Sequence, residues 1–596
     1  MSDKLVRAGY KVARVEQTET PEMLKARKKK GSKDKVVNRE LVSIVTRGTR
    51  TFCYLDNELS YDCAQDGAGV GPLLVIREIQ FSNGDEKEEE SDTIRPVCEY
   101  GVVFVDASRA VITMGQFADD VLRTRMTTLL AAISPSEVLI EGENGASPVL
   151  RDLLKSAQMM SGFLIEEIQP VESFPKSTAV NSDVRQKLNR GFGRVHPWNV
   201  EETLEELHRR EYFPRSSRKQ EDARDTSRWP KVLHLAVEGN ANLALSSLGA
   251  ALFYLQRNLI DEEVLSMGFI NAYVPSACPV ASGGVFSQAA REDIDTESEL
   301  DDLQRGDSAL ETPTPVGSND EEENISHMAL DGNTLCQLEI LTNNSDGKVA
   351  GSLWSKINFT RTPHGARLLR AWLLRPLFRK DEIERRADAV EELLSGDVAL
   401  AMDEARGLLQ KCGDIERLLA KVHQMAGTKP GAAESCHPST RAVLYETKVY
   451  TTRKVRDFRA ALFALRFATK IPELFAGIEV SSGLLRKILK CFPDVAEDLD
   501  WFFNAFDFEK AVNGQFEPGR GIDADFDDAK DLKDTVLAEL QVFREDMCTN
   551  VLQPRHLAKN TWKYINTAPD SKDKYVIELP VQVAVPEDFC EYLEKI

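Results

Sequence analysis

The sequence predicts a multidomain fold in which an α/β portion is followed by a mainly α portion, and three observations carry the prediction. At 596 residues the chain exceeds the roughly 250 to 300 residues at which a single core stops growing, so it divides into several domains. Three β-branched runs lie close together, Gly101-Val-Val-Phe-Val-Asp106, Ala110-Val-Ile-Thr-Met-Gly115 and Glu137-Val-Leu-Ile-Glu141, and residues 119–130 suit a helix before the last of them. From Asn199 onward apolar residues recur at helical spacing.

In chain order, residues 10–16 alternate as a strand does, and Thr20-Pro21-Glu22 opens a helix with a capping hydroxyl, a proline at the first helical position and an acid in the first turn. Residues 41–46 and 51–55 read as short β segments around the turn Arg47-Gly48-Thr49. The acidic, serine-containing stretch 83–92 is a solvated loop. Helical periods follow at 241–258, 335–341, 353–359, 363–375, 383–394 and 408–422. In the last, Leu408, Leu409, Cys412, Ile415, Leu418, Leu419 and Val422 form one apolar stripe expected to face a core down a single helix.

Within 360–376, Thr362 can cap a helix begun by Pro363, Leu369, Trp372 and Leu373 are expected to bury, and Pro376 ends it. Its arginines read as ion pairs or a solvated face before phosphate contacts, and His364 as a turn residue before a ligand. Residues 276–325 turn to Ser, Gly, Pro, Asp and Glu with hardly an aromatic, a composition that buries too little surface to offset its ordering entropy; we expect a disordered acidic insertion.

Composition narrows the function classes. With 42% hydrophobic and 29% charged residues the chain reads as a soluble globular protein, and no apolar run approaches the roughly 20 residues of a membrane span. The opening Met1-Ser-Asp-Lys-Leu-Val carries no visible signal or transit pattern, and an intracellular address is expected. Ten cysteines are scattered without a C-x-x-C or zinc spacing, and read as reduced thiols. Seventy-five basic against 96 acidic residues, a net charge of −21, argue against nucleic-acid binding over the whole surface, so any DNA contact is local.

The densest positive patch is Lys25, Arg27, Lys28, Lys29, Lys30, Lys33 and Lys35. It reads either as backbone contact to duplex DNA or as a solvated loop. Asp523-Ala-Asp525-Phe-Asp527-Asp528 begins like a calcium loop but lacks its glycine and final glutamate, and acids at a helix start are explanation enough. No metalloprotease, hydrolase-elbow, dinucleotide or G-x-x-x-x-G-K-[ST] phosphate-loop motif occurs, so neither a catalytic residue nor a metal ligand is assigned and ATP hydrolysis by this chain is not expected.

Two widely separated segments carry a resemblance. G-Y-K-V-A-R-V-E-Q-T-E-T-P-E-M at 9–23 and G-S-L-W-S-K-I-N-F-T-R-T-P-H-G-A-R-L-L-R-A-W-L-L-R-P-L at 351–377 resemble signatures of the MutS family of DNA mismatch repair proteins, the first being most similar to the eukaryotic MutS homologue six type. G-Q-F-A-D-D at 115–120, the stretch 506–527 and Lys574-Tyr-Val-Ile-Glu-Leu-Pro580 extend it. The resemblance implies the end of a mismatch-recognition domain at 1–60, an RNase H-like connector at 61–195 and a core/lever domain at 196–275 and 326–520, interrupted by the insertion. An incomplete clamp at 521–596, with a small β tip on the helical lever, completes it.

It implies a chain truncated at both ends, without the Phe-x-Glu mismatch probe or the ATPase, so that ATP and magnesium belong to the intact family protein and no cofactor to this chain. Implied partners are duplex DNA with mismatches or small loops and a second MutS homologue in a heterodimer, with no membrane; the implied place is the nucleus. Lys559, Lys563, Lys572 and Lys574 of the clamp are expected to follow phosphates. The alternative is a helical scaffold that docks partners without binding DNA. A nuclease would need more acids than Asp106, the only one well placed.

Overall fold

The structure, a computed structural model, describes residues 2–29, 36–50, 71–81, 97–142, 145–168, 197–213, 229–275, 327–328, 330–426, 447–512, 517–547, 564–565 and 576–577. They fall into two units: residues 1–499 with 511–514, and residues 500–510 with 515–596.

The first unit opens with α1 (Ser2–Arg7), β1 (Val12–Gln17), α2 (Pro21–Lys29) and β2 (Arg39–Val45), β1 and β2 pairing antiparallel with a bulge at Arg14 and Val15. The expected strand, helix opening and second strand are all present, and Thr20 Oγ1 accepts from the Met23 amide at 3.2 Å. The expected β segment at 51–55 and the acidic loop lie outside the described residues.

A six-stranded sheet follows: β3 (Leu73–Gln80), β4 (Cys98–Asp106), β5 (Val111–Asp119), β6 (Glu137–Glu141), β7 (Leu164–Ile168) and β8 (Phe269–Ala272), in the order β7-β6-β3-β4-β5-β8. β3, β4 and β5 form an antiparallel meander; β6 joins β3, β7 joins β6 and β8 joins β5 in parallel. Helices cover both faces, as the near-continuous apolar strands require. On one face α3 (Thr124–Ile133) and α4 (Pro148–Ser161) bury Met126, Leu129, Leu150 and Leu154 against Leu74, Ile76, Val102 and Ile140. On the other, α5 (Val200–Arg210), α6 (Lys231–Glu238), α7 (Asn242–Arg257) and α8 (Asp261–Leu265) pack on Leu73, Val75, Val103, Val105 and Leu139. α7 crosses β4 so closely that a Cβ at Gly101 would lie 2.2 Å from the Leu243 carbonyl, and Ser247 Oγ donates to the Gly101 carbonyl at 2.8 Å.

Two expectations change here. Residues 119–123 are not helical: Phe117 still packs inward from β5, and the helix begins at Thr124, where the Asp119 carboxylate accepts from the Arg125 and Met126 amides at 3.1 and 2.9 Å. The boundary expected at 195/196 does not separate the elements around it, because α5 to α8 cover the sheet and β8 extends it.

The remainder of the first unit is helical: α9 (Gly332–Gln337), α10 (Leu353–Ile357), α11 (Pro363–Leu374), α12 (Lys380–Leu393), α13 (Gly396–Cys412), α14 (Ile415–Ala426), α15 (Thr447–Leu474) and α16 (Gly483–Lys490). Val398, Ala401 and Ala405 of α13 pack with Ile471, Phe475 and Leu485 as its core. The stripe at 408–422 belongs to two helices. Gly413 adopts φ 66° and ψ −149°, a conformation essentially reserved for glycine, so α13 stops and α14 starts afresh; Leu419 is 38% exposed instead of buried. Thr362 caps α11 as expected, accepting from the Gly365 amide at 3.1 Å. Trp372 is half exposed, its ring covered by the Arg386 guanidinium 4.0 Å away.

α17 (Ala496–Ala505) and α18 (Phe508–Val512) lead into the second unit. There Phe508 contacts Phe503 and Phe506, and Phe506 bridges to Pro518. α19 (Ala524–Met547) follows, its start capped by Asp523, which accepts from the Phe526 amide at 3.1 Å. That is the helix-start role expected of these acids. β9 (Tyr564–Ile565) and β10 (Val576–Ile577) pair antiparallel, β10 within the strand expected at 574–580. Among the described residues no group of three His, Cys, Asp or Glu could hold a metal ion, and Cys98, Cys336, Cys412 and Cys491 are free thiols. No described helix is long and apolar enough to cross a membrane.

Candidate nucleic-acid interface

The basic run at 25–35 becomes a helix face only in part. α2 carries Lys25, Lys28 and Lys29 at spacings of three and four, which places them on one side of the helix, and all three are exposed. Arg27 departs from this set. Its guanidinium grips Glu19 with two bonds of 2.9 Å, and Glu19 also accepts from the Asn38 amide at 3.0 Å. Glu19 is buried, so Arg27 serves as its counter-charge and fixes α2 to the start of β2. Lys30, Lys559, Lys563, Lys572 and Lys574 lie outside the described residues.

What holds this face in place is a buried polar junction with the sheet. Glu137, 1% exposed at the start of β6, accepts from Thr46 Oγ1 at 2.6 Å, from the Gly48 amide at 3.1 Å and from the Tyr254 hydroxyl at 2.7 Å. Burial and the charges of Glu137 and Glu166 push the Tyr254 phenol far up, so it stays a proton donor. Lys11 of the N-terminal segment pairs with Glu166 of β7. The turn Arg47-Gly48-Thr49 is legible in the sequence; its acceptor, some ninety residues downstream, is not.

A second junction joins the sheet to α11 and α14. Arg367 bonds Asp414 at 2.7 and 3.0 Å and Glu416 at 2.6 Å; Arg109, beside β5, reaches Glu416 at 3.3 Å and Asp106 at 2.6 Å; Arg417 lies 3.4 Å from Asp414. Burial works against ionising Asp106, but Arg109 and the Ser108 hydroxyl outweigh it and hold the carboxyl below its usual range. Asp414 behaves alike, with Arg367 and Arg417 opposing burial. Burial lowers His364, despite Glu416 and Asp414 nearby. The ion-pair reading of the 360–376 arginines therefore holds for Arg367. Asp106 is spent on Arg109 and its own turn, which leaves nothing in its favour as a nuclease carboxylate.

Comparison with known proteins gives the context. Residues 1–52 match the family model of MutS domain I, and residues 333–545 that of MutS domain III, which runs past the boundary expected at 520. The chain is 33% identical over 559 residues to the DNA mismatch repair protein Msh6 of Homo sapiens, covering 89% of this chain and 35% of that protein. It is 30% identical to Msh6 of Gallus gallus, covering 98% of this chain and 39% of the relative, and 26% identical to MSH6 of Saccharomyces cerevisiae, covering 99% and 37%. The chain thus spans well under half the length of the relatives it matches.

Proposed function

The chain belongs to the MutS family and is of Msh6 type, and from that premise we propose that it acts in DNA mismatch repair as one subunit of a MutS-type heterodimer that encircles duplex DNA. The observation that carries the proposal is the order of the parts: a domain I segment with an exposed lysine face, a six-stranded sheet body, then domain III helices. In this reading the sheet, with its meander followed by two parallel strands beside β3, is an RNase H-like connector. The helices are the lever, and the residues around β9 and β10 belong to a clamp.

Lys25, Lys28 and Lys29 would meet phosphates without reading bases, since a flexible ammonium gives charge and no sequence information. The fitting partners are mismatched or looped duplex and a second MutS homologue, and the fitting place is the nucleus. ATP and magnesium, which the family implies, find no phosphate loop in the 596 residues, and no metal-holding cluster occurs among the described residues.

The test is a titration of homoduplex and G·T duplex at several salt concentrations. The proposal expects salt-dependent binding with little mismatch preference by this chain alone; about tenfold discrimination, about 1.4 kcal/mol, would refute the expectation that the mismatch probe lies outside it. A net charge of −21 and the capture of Arg27 by Glu19 favour the scaffold alternative. Capture of a MutS-type partner with no DNA shift at low salt would establish that alternative.

A further inference from the structure

The first unit contains a cleft of 1320 Å³ where the sheet meets the α9 to α14 helices. Among the described residues its charged lining is Arg47, Arg50, Arg109, Arg367, Arg370 and Arg417 with one carboxylate, Asp106, a basic wall in an acidic chain. Hydroxyls complete the wall, among them those of Ser108, Thr127, Ser134 and Ser136. Asp414 and Glu416, which stand behind Arg367, Arg417 and Arg109, balance part of this charge.

Arg370 is the distinctive member. It is half-buried, and its hydrogen bond runs from Nη2 to Ser134 Oγ at 3.2 Å. No carboxylate faces it among the described residues, and burial alone lowers its affinity for its proton. A guanidinium half withdrawn from water with no facing carboxylate among the described residues is a ready anion donor, and guanidinium with hydroxyls is the donor set that grips phosphate oxygens in pairs.

We propose that this cleft is an anion site for a compact phosphate-class polyanion, with Arg370 and Ser134 as its primary donors. The volume suits a small molecule and not a double helix. Occupancy would supply the charge that Arg370 lacks and would tie α11 to the end of α3, two elements from opposite sides of the junction.

The test is calorimetric titration of the 596-residue protein with sodium tripolyphosphate and, separately, sodium sulfate at matched ionic strength. Arg370→Gln is compared with Arg361→Gln, an exposed charge outside the cleft lining. Saturable tripolyphosphate binding, weakened at least tenfold by Arg370→Gln and unchanged by Arg361→Gln, is the expected result. No saturable binding, equal loss in both variants, or full binding by Arg370→Gln overturns the proposal. So does displacement of the bound anion by a short DNA duplex, which would give the cleft to nucleic acid. If Arg370→Gln fails to fold, hydrogen exchange on the parent protein decides: tripolyphosphate must protect the amides of Ser134 and Ser136 and those in α11, and no protection there refutes the site.

Discussion

Replacing Lys25, Lys28 and Lys29 together by alanine separates a DNA-contacting face from a solvated one. A protein contact that displaces a condensed counterion contributes about 0.9 to the slope of log K against log salt on duplex DNA. The three lysines share one exposed side of α2, so all three can lie against one backbone, and together they account for about 2.7 of the slope. Between 50 and 200 mM salt that corresponds to roughly a 40-fold fall in affinity for the parent protein, and the triple variant should lose this component.

Fluorescence anisotropy with a labelled homoduplex at four salt concentrations reads it directly. Arg27→Ala is the control, because its partner is Glu19 and not solvent: it should leave the slope within about one contact of the parent and instead loosen the 19–38 segment. A triple variant with the parent's slope would remove these lysines from the interface, and a slope change confined to Arg27→Ala would invert the assignment made here.

Glu137→Gln keeps volume but offers one acceptor oxygen where the carboxylate served Thr46, Gly48 and Tyr254; a cost of about 2 to 4 kcal/mol is expected, seen as faster hydrogen exchange in β1 and β2, and unchanged exchange would refute the junction's role. Gly101→Val should drive α7 off β4 and lower the urea midpoint by an amount equivalent to about 3 kcal/mol or more, because the obstructing atoms are backbone. For pH, Asp106 and Asp414 have lowered folded values, so their contribution to stability is complete above the ordinary aspartate range near pH 4 and is lost as pH falls through the lowered values. Acid unfolding of Arg367→Ala should accordingly depend less steeply on pH below about 4 than that of the parent, and parallel curves would contradict this.

Much of the fold could be read because its signals are local. The β-branched runs became β4, β5 and β6, the Thr20 and Thr362 caps formed, and the acids before α19 capped it. Failures came where distant or conformational facts decide. Hydrophobic spacing continues smoothly through 408–422 and cannot register that Gly413 takes a backbone shape that ends a helix. β8 is four residues long and finds its place only by pairing with β5, more than 150 residues earlier, so the helices before it looked like part of the later helical body.

Of the candidate site, the cationic character of α2 was visible, and Glu19, eight residues before Arg27, was a signal that could have been read as its trap. The Arg109–Glu416 pair spans 307 positions, and nothing in the order of residues announces it.

The carboxylate of Glu137 has a mechanical meaning beyond its bonds. One oxygen takes the 46–48 turn and the other takes Tyr254, while the residue's own backbone lies beside β3 in the sheet. The turn after β2 is therefore joined through one side chain to the sheet and to α7 alike, so a disturbance of that turn is shared between the two.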